Sequence, residues 1–396
     1  MEASEFYEQL LALPHLKVDK VELNKRVINI YCHDARSSRS CPNCGGSDAK
    51  LKAYDSRRIR DLNISDKEVW LHIRVRQFSC SCGKYFHEQF EWAEAGKSYT
   101  RRQSKFIFEL CAKQPMKEVG AIVNMCPQSV ERVYYAEAEE QIDLAQRYEE
   151  VRQLGIDEIS HRKGKGNYCC VLVDLEKGRQ LDLLPDRKKS SLIAHFESLG
   201  PQFCQQIQVV SCDMWSPYAE VARHCFPQAR IVIDRFHVVK ALNDGLDKAR
   251  KQLRKAFPQQ AEFKRIKWLL FKRPEACSAS QTEQLEQAFS CAPQLKQMYK
   301  HRNEFHAIFD QSPRYDIAEE RLKTWMCKAQ KIGAAYWDTF LRTLQNWHEP
   351  ILNFVIERVS NAATEGLNNL IRYLKRISFN IPNFEHLRIR VLATAF

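Results

Sequence analysis

Three carboxylates stand where their neighbours offer no ordinary reason for them. Asp157 lies inside the apolar run QLGIDEIS, Asp213 closes QVVSCDMW, and Glu365 is the lone acid of SNAATEGLNNLIRYLKR. Burying a carboxylate in a central strand costs roughly several kcal/mol unless it is paired or bound to a cation. A second carboxylate nearby adds repulsion, which a divalent ion relieves. The chemistry this suggests is two-metal phosphodiester cleavage. Hard Mg²⁺ (or Mn²⁺) ions on oxygen ligands activate a water or a 3′-hydroxyl and stabilise the leaving oxygen. Alone, Asp213 also reads as the start of a helix, because Ser216 and Pro217 follow it. Asp174 and Asp182 are assigned to turns.

Such a mechanism needs a third carboxylate, and Glu365 is the candidate, although by itself it reads as a solvated helix residue. On a helix starting near Ser360, Asn361, Glu365, Asn369 and Arg372 recur at helical spacing and form one polar stripe. Leu367, Leu370, Ile371 and Leu374 form the opposite, core-facing stripe. Arg372, Lys375 and Arg376 follow as phosphate contacts, and Asn361 stands where it would cap the helix, orient the carboxylate or touch DNA.

A second constellation is made of sulfur. CPNCGG begins at Cys41 and CSCGKYFH at Cys80. A Cys-x-x-Cys-Gly turn aims two thiolates at one ion, with the glycine taking the positive φ the turn needs. Cys41, Cys44, Cys80 and Cys82 are the expected zinc ligands. The second pair is tighter than the usual gap, so His87 is an alternative to one cysteine, and Cys32 and His33 are weaker ones. Four protein ligands leave no open position, so the Zn²⁺ would be structural, which suits a small β-rich domain with little core of its own.

A third pattern lies in MKEVGAIVN, the turn MCPQ, and a helix beginning near Gln128. It is the spacing of a helix-turn-helix, whose second helix enters the major groove. Val130, Val133 and Tyr134 would face inward; Gln128, Ser129, Glu131, Arg132 and Tyr135 would face outward to DNA. Arg101 and Arg102, with Lys97 and Lys105, fit phosphate contacts.

These groups need elements to hold them. Residues 1 to about 95 alternate apolar and polar positions, as short strands do, after a short amphipathic helix at the N-terminus. From about 98 to 145 the period is helical. From about 150 to 240 come a strand, a hairpin turned at Glu176–Gly178, a helix, a strand, a helix and a strand. That is the order of a ribonuclease-H-like domain. Residues from about 241 to 355 read as almost wholly helical. The fold class expected is multidomain α/β, a mixed sheet flanked by helices with a zinc module and a helix-turn-helix before it. The chain of 396 residues is long enough for two to four domains and carries a formal charge of +12. Such a surplus points to nucleic acid ahead of an anionic membrane surface. No apolar run approaches the roughly 18 residues of a bilayer span, and the N-terminal stretch does not read as a secretory signal. Fifteen cysteines without such a signal indicate free thiols in a reducing cytosol.

Taken together, the CPxCG module with RQFSCSCGKYFHE, the helix-turn-helix, GIDE, SCDMWSPYAEVARHCFPQARIVIDRFHVVK and SNAATEGLNNLIRYLKR resemble the ISL3 family of bacterial insertion-sequence transposases along nearly the whole chain. The resemblance implies a DDE recombinase with Asp157, Asp213 and Glu365 as its acids, bound to magnesium. It implies that IDRFHVVK brings Asp234 and His237 to support the active site, and that the helical block is an insertion ahead of the glutamate helix. The domains are then 1–95 zinc-binding, 96–148 helix-turn-helix, 149–240 first part of the catalytic core, 241–355 insertion, and 356–396 closing helices. The expected partners are double-stranded DNA, as element terminal inverted repeats and target, and further copies of the chain, since two ends must be joined. The expected place is the bacterial cytoplasm, at the nucleoid. Two other readings are a transposase-derived DNA-binding regulator without catalysis and a structure-selective nuclease such as a junction resolvase.

Overall fold

The computed structural model describes residues 3–36, 40–162, 167–259, 262–359 and 362–394. The chain forms two compact units, Met1–Ile142 with Arg372–Thr394, and Asp143–Ile371 with Ala395–Phe396.

The first unit opens with the helix Ala3–Leu11 and a sheet of five strands: β1 (Leu16–Leu23), β2 (Val27–Asp34), β3 (Lys50–Ile64), β4 (Lys67–Ser79) and β5 (Tyr85–His87). Their order is β1-β2-β4-β3, with β5 on β4. Only β2 and β4 pair in parallel. Period-two alternation puts Ile28, Ile30 and Cys32 of β2 and Val69, Leu71, Ile73 and Val75 of β4 on the buried side, where Phe90 and Trp92 cover them. β3 and β4, of 15 and 13 residues, are much longer than the short strands the alternation suggests.

Three helices follow, Arg101–Cys111, Met116–Val123 and Pro127–Glu140. Thr100 caps the first, accepting from the Gln103 N–H. Asn124 ends the second in the left-handed conformation at φ 52°, and Pro127 opens the third. Ile107, Cys111, Val119, Val123, Val130, Val133 and Tyr134 form their shared core. The helix Phe384–Thr394 closes this core from the far end of the chain. Its buried Arg390 donates to the Cys111 carbonyl at 2.6 Å and lies over the Tyr134 ring.

The second unit holds β6 (Gln153–Ser160), β7 (Tyr168–Asp174), β8 (Arg179–Leu184), β9 (Val209–Cys212) and β10 (Arg230–Ile233), in the order β10-β9-β6-β7-β8. β7 runs antiparallel to both its neighbours, while β9 and β10 run parallel with β6. Asp174 does turn work at the β7–β8 hairpin, accepting from the N–H groups of Glu176 and Lys177 and from Arg179. Gly178 supplies the positive φ of 63° that the turn requires. The crossover helices Lys189–Ser198 and Ser216–Cys225 bury Leu192, Phe196, Tyr218 and Val221 in a core that continues into the helices Arg235–Ala256, Ala279–Cys291, Pro293–Gln311 and Tyr315–Asn346.

The tightest crossing in that block is at Gly245. A Cβ there would stand 2.2 Å from Trp337 Cδ1 and 3.1 Å from the Tyr336 carbonyl oxygen, and Trp337 is fully buried. Gly245→Ala gains helix propensity but overpacks this contact, and it should lower stability by about 3 kcal/mol. An unchanged denaturation midpoint would show that the two helices slide apart freely.

A candidate carboxylate centre and a four-sulfur site

The parallel strands of the second unit decide where its acids meet. Ile156 of β6 and Ile233 of β10 both register with Cys212 of β9. The residues that follow are Asp157, Asp234 and Asp213, so three carboxylates stand at one level of neighbouring strands, Asp157 inside β6 and the other two just past the ends of β10 and β9. Asp234 N–H donates to the Cys212 carbonyl at 3.1 Å, and its carboxylate caps the next helix by accepting from Phe236 N–H. His237, in the first turn of that helix, places Nε2 2.9 Å from Asp213 Oδ1 and 3.9 Å from Asp234 Oδ2. One ligand atom from each of these three residues lies within 4.8 Å of the others. Burial works to lower the His237 pKa, but the Asp213 hydrogen bond and the charges of Asp213, Asp234 and Asp157 outweigh it and raise it.

Asp157 is held on both oxygens. Oδ1 accepts the Glu158 N–H at 2.7 Å and Oδ2 accepts Asn368 Nδ2 at 2.6 Å. Burial, followed by the Asp213 charge, still pushes its pKa up to about 6. The two hydrogen bonds therefore do not offset the cost of a half-buried anion beside another anion.

Asn368 belongs to the helix Ala362–Ile377, whose inner stripe is Thr364, Asn368, Ile371 and Leu374. This differs from the expected stripe, because Leu367 and Leu370 are only half-buried. A polar strand edge, rather than an apolar sheet face, lies against the start of the helix, so an amide fits where leucine would not. Glu365, Asn369, Arg372 and Arg376 are exposed and Lys375 half-buried. Glu365 sits one turn before Asn368, a neighbour on the helix surface. Asn361 lies outside the described residues. The helix comes close to β6 because residue 155 is glycine: a Cβ there would stand 2.8 Å from Leu175 Cδ2 and 3.3 Å from Thr364 Oγ1.

The four sulfurs converge in the first unit. Cys41, Cys44, Cys80 and Cys82 all lie within 4.8 Å of one another, with Cys41–Cys82 at 3.7 Å and Cys44–Cys80 at 3.5 Å. A tetrahedron with Zn–S bonds of about 2.3 Å has S···S edges of roughly 3.8 Å. The donor set and its spacing therefore fit a structural zinc ion. The compressed second pair works because Gly83, at φ 86°, turns the chain, as Gly45 does at φ 72° after the first pair. None of the alternative ligands joins the group. His87 lies 3.7 Å from Asp55, His33 lies 2.9 Å from Asp19, and Cys32 is buried in the sheet core with its pKa pushed up to about 12 by burial.

The residues expected at DNA separate into two groups. Gln128 and Arg132 are exposed on the helix Pro127–Glu140, and Arg101 is exposed beside Glu94 at 2.7 Å. Ser129 is half-buried, 3.1 Å from Cys126 Sγ. Tyr135 is not outward: it is buried and stacks on His386 of the helix Phe384–Thr394, ring centroids 4.0 Å apart. Arg102 is also engaged within the protein, with its guanidinium on the buried carboxylate of Asp61 and on the Leu11 carbonyl. The buried acid determines this, since an unpaired Asp61 would be costly.

Comparison with known proteins identifies the family. Over 376 residues the chain is 27% identical to the transposase for insertion sequence element IS1001 of Bordetella parapertussis, covering 93% of this chain and 91% of that one. It is 25% identical over 373 residues to the transposase for element IS1557 of Mycobacterium tuberculosis, covering 86% of this chain and 82% of the relative. The zinc finger of the IS204/IS1001/IS1096/IS1165 transposases matches residues 37–82, which include all four cysteines. The ISL3 transposase domain of DDE type matches residues 154–391, from the strand that carries Asp157 past the helix that carries Asn368, and the chain therefore belongs to the ISL3 family of transposases.

Proposed function

We propose that this chain is a DNA transposase that binds the terminal inverted repeats of its insertion sequence, cleaves the element ends and transfers the strands to target DNA. Asp157, Asp213 and Glu365 are the acids of that reading, and Asp234 and His237 support them. The observation that carries it is the convergence of Asp157, inside β6, with Asp213, just past the end of the adjacent parallel strand β9, with the Asp157 pKa raised to about 6. Counted within its own unit, the sheet order is 3-2-1-4-5 with the second strand antiparallel. This supports a ribonuclease-H-like core, with the helices between Arg235 and Asn346 as an insertion.

The charge repulsion between Asp157 and Asp213 fits a site that takes Mg²⁺ or Mn²⁺. When bound, such an ion supplies Lewis acidity at the scissile phosphate and an activated water or 3′-hydroxyl. The chain's own residues set the geometry. Asn368 fixes Asp157 Oδ2, and His237 holds Asp213 from the side of Asp234. Glu365, exposed one turn from Asn368 and outside the Asp213–Asp234–His237 cluster, would complete the ligand set on a DNA-bound complex. The helices Met116–Val123 and Pro127–Glu140, joined by a tight turn, act as the helix-turn-helix, with Gln128 and Arg132 towards the major groove. Arg372, Lys375 and Arg376 contact phosphates. The protein works as a dimer or higher multimer at the nucleoid, because two ends must be held together.

The test is cleavage of a labelled duplex carrying the element's own terminal repeat, with and without Mg²⁺. Asp213→Asn should bind that duplex and leave it intact. Divalent-dependent nicking that persists in Glu365→Gln would remove Glu365 from the centre. Binding without any nicking would leave a DNA-binding regulator, and cutting without preference for the repeat would leave a structure-selective nuclease. Asn368→Ala, which removes the group orienting a ligand, should weaken divalent binding by about 10- to 100-fold. The readout is the concentration of Mn²⁺ that half-saturates the thermal shift; an unchanged midpoint would make Asn368 a packing residue only.

A further inference from the structure

The sheet of the first unit has a second face, opposite its apolar one. Alternation along β3 leaves Tyr54, Ser56 and Arg58 on that side, and along β4 it leaves Trp70, His72 and Arg74. The strands register Arg58 with His72 and Ser56 with Arg74. Arg58 and Arg74 are thus diagonal neighbours on one face, about 7 Å apart at their backbones. Each guanidinium lies on an aromatic ring, Arg58 at 3.9 Å from the centre of Trp70 and Arg74 at 5.1 Å from that of Tyr54. Lys52, in the bulge between Leu51 and Ala53 and so outside this alternation, lies 4.0 Å from the Tyr85 ring of β5.

Several other arginines of the unit are neutralised within the protein. Arg36, Arg60, Arg76 and Arg102 each meet a carboxylate, of Asp34, Glu68, Glu88 and Asp61. Among the described residues, Arg58, Arg74 and Lys52 meet none within ion-pair distance. Glu22, an acid on the same face, is held by Lys20 and by the Tyr31 hydroxyl. Two flat guanidiniums, kept in place by rings and with their N–H groups open to solvent, are complementary to phosphate oxygens. Tyr54 still keeps 56% of its surface exposed, so stacking of unpaired bases is the alternative that the single-strand measurement decides.

We propose that this solvent face of the β1–β4 sheet contacts the phosphate backbone of duplex DNA through Arg58 and Arg74. The contact is separate from the helix-turn-helix, positions the duplex and reads no sequence. It rests on the reading of DNA as the partner, and the experiment keeps the two apart.

Binding of the full-length, zinc-loaded chain is measured by fluorescence anisotropy between about 50 and 200 mM salt, on a terminal-repeat duplex, a scrambled duplex and a single strand. For Arg58→Gln/Arg74→Gln the slope of log K against log salt should fall in magnitude by about 2, equally on both duplexes. Arg58→Lys/Arg74→Lys should keep most of the slope, which separates lost charge from lost fold, and zinc content and melting temperature should match wild type in both. An unchanged slope with duplex binding intact overturns the proposal. So does a loss confined to the single strand, which would mark a base-stacking surface. A wild-type chain that binds no duplex at all overturns the DNA reading itself.

Discussion

An Asp157→Asn chain should cut DNA at least about 10³-fold more slowly than wild type, and in chelator it should melt at a higher temperature. The two effects have one cause. In the folded chain the Asp157 pKa is pushed up to about 6, first by burial and then by Asp213; in an unfolded chain it is about 3.9. A carboxyl with a raised folded pKa keeps its proton in the native state after the unfolded state has released it. Between about pH 4 and pH 6 the native state binds more protons, so stability falls as pH rises. Above about pH 6 the full penalty is present, about 3 kcal/mol at most. Asparagine keeps an oxygen to accept the Asn368 N–H and removes the charge. Its advantage should appear near neutral pH, as roughly 5 °C in melting temperature, and vanish towards pH 4. Adding Mg²⁺ should raise the melting temperature of wild type more than that of Asp157→Asn. A variant that melts below wild type at pH 7.5 in chelator would mean that the anion is not held at a cost.

Loss of the four-sulfur site should be equally severe in the first unit. Binding of zinc to such sites is worth about 10 to 16 kcal/mol in small finger modules, a scale that rivals the whole stability of a domain. Cys41→Ser or Cys82→Ser should lose the metal, expose the Cys80 end of the sheet and abolish binding to DNA. His87→Ala should retain one zinc per chain, because the His87 ring lies towards Asp55 and away from the sulfurs. Elemental analysis of purified protein decides both, and full zinc in Cys82→Ser would return His87 to the ligand set.

What the sequence revealed of the site depended on the kind of signal each residue gave. Asp157 was legible because a carboxylate inside an apolar strand is costly, Asp213 because it stands beside that one at the end of a second apolar run, and the cysteines because their knuckles repeat a spacing. Asn368 was not legible. An amide on an amphipathic helix looks like surface, and only the strand opposite it makes it a ligand-holding group. The same reason displaced the helix stripe from Leu367 and Leu370 to Thr364 and Asn368. Tyr135 read as outward because the helix that covers it, Phe384–Thr394, arrives some 250 residues later, too far for any local period to report. Arg102 read as a phosphate contact because its partner Asp61 lies in a strand 41 residues before it. Strand content was foreseen, yet the length of β3 was not, since its exposed first half lacks the apolar alternation that marks a half-buried strand.

That length gives the sulfur site a mechanical role. β3 and β4 form a ladder from Ile64 opposite Lys67 to Lys50 opposite Ser79, and Cys80 follows its last rung. A tight turn closes one end of this ribbon, and the metal clasps the other. Because side chains alternate, a slip of one residue between the strands would exchange the two faces. Trp70 and Arg74 would then point into the core, and Leu71 and Ile73 into water. Two bulges already relax the pairing, at Leu51/Ala53 and at Asp61/Ile64. The ion at the open end therefore acts as a ratchet pawl, holding the ribbon to the one register in which its cations face outward.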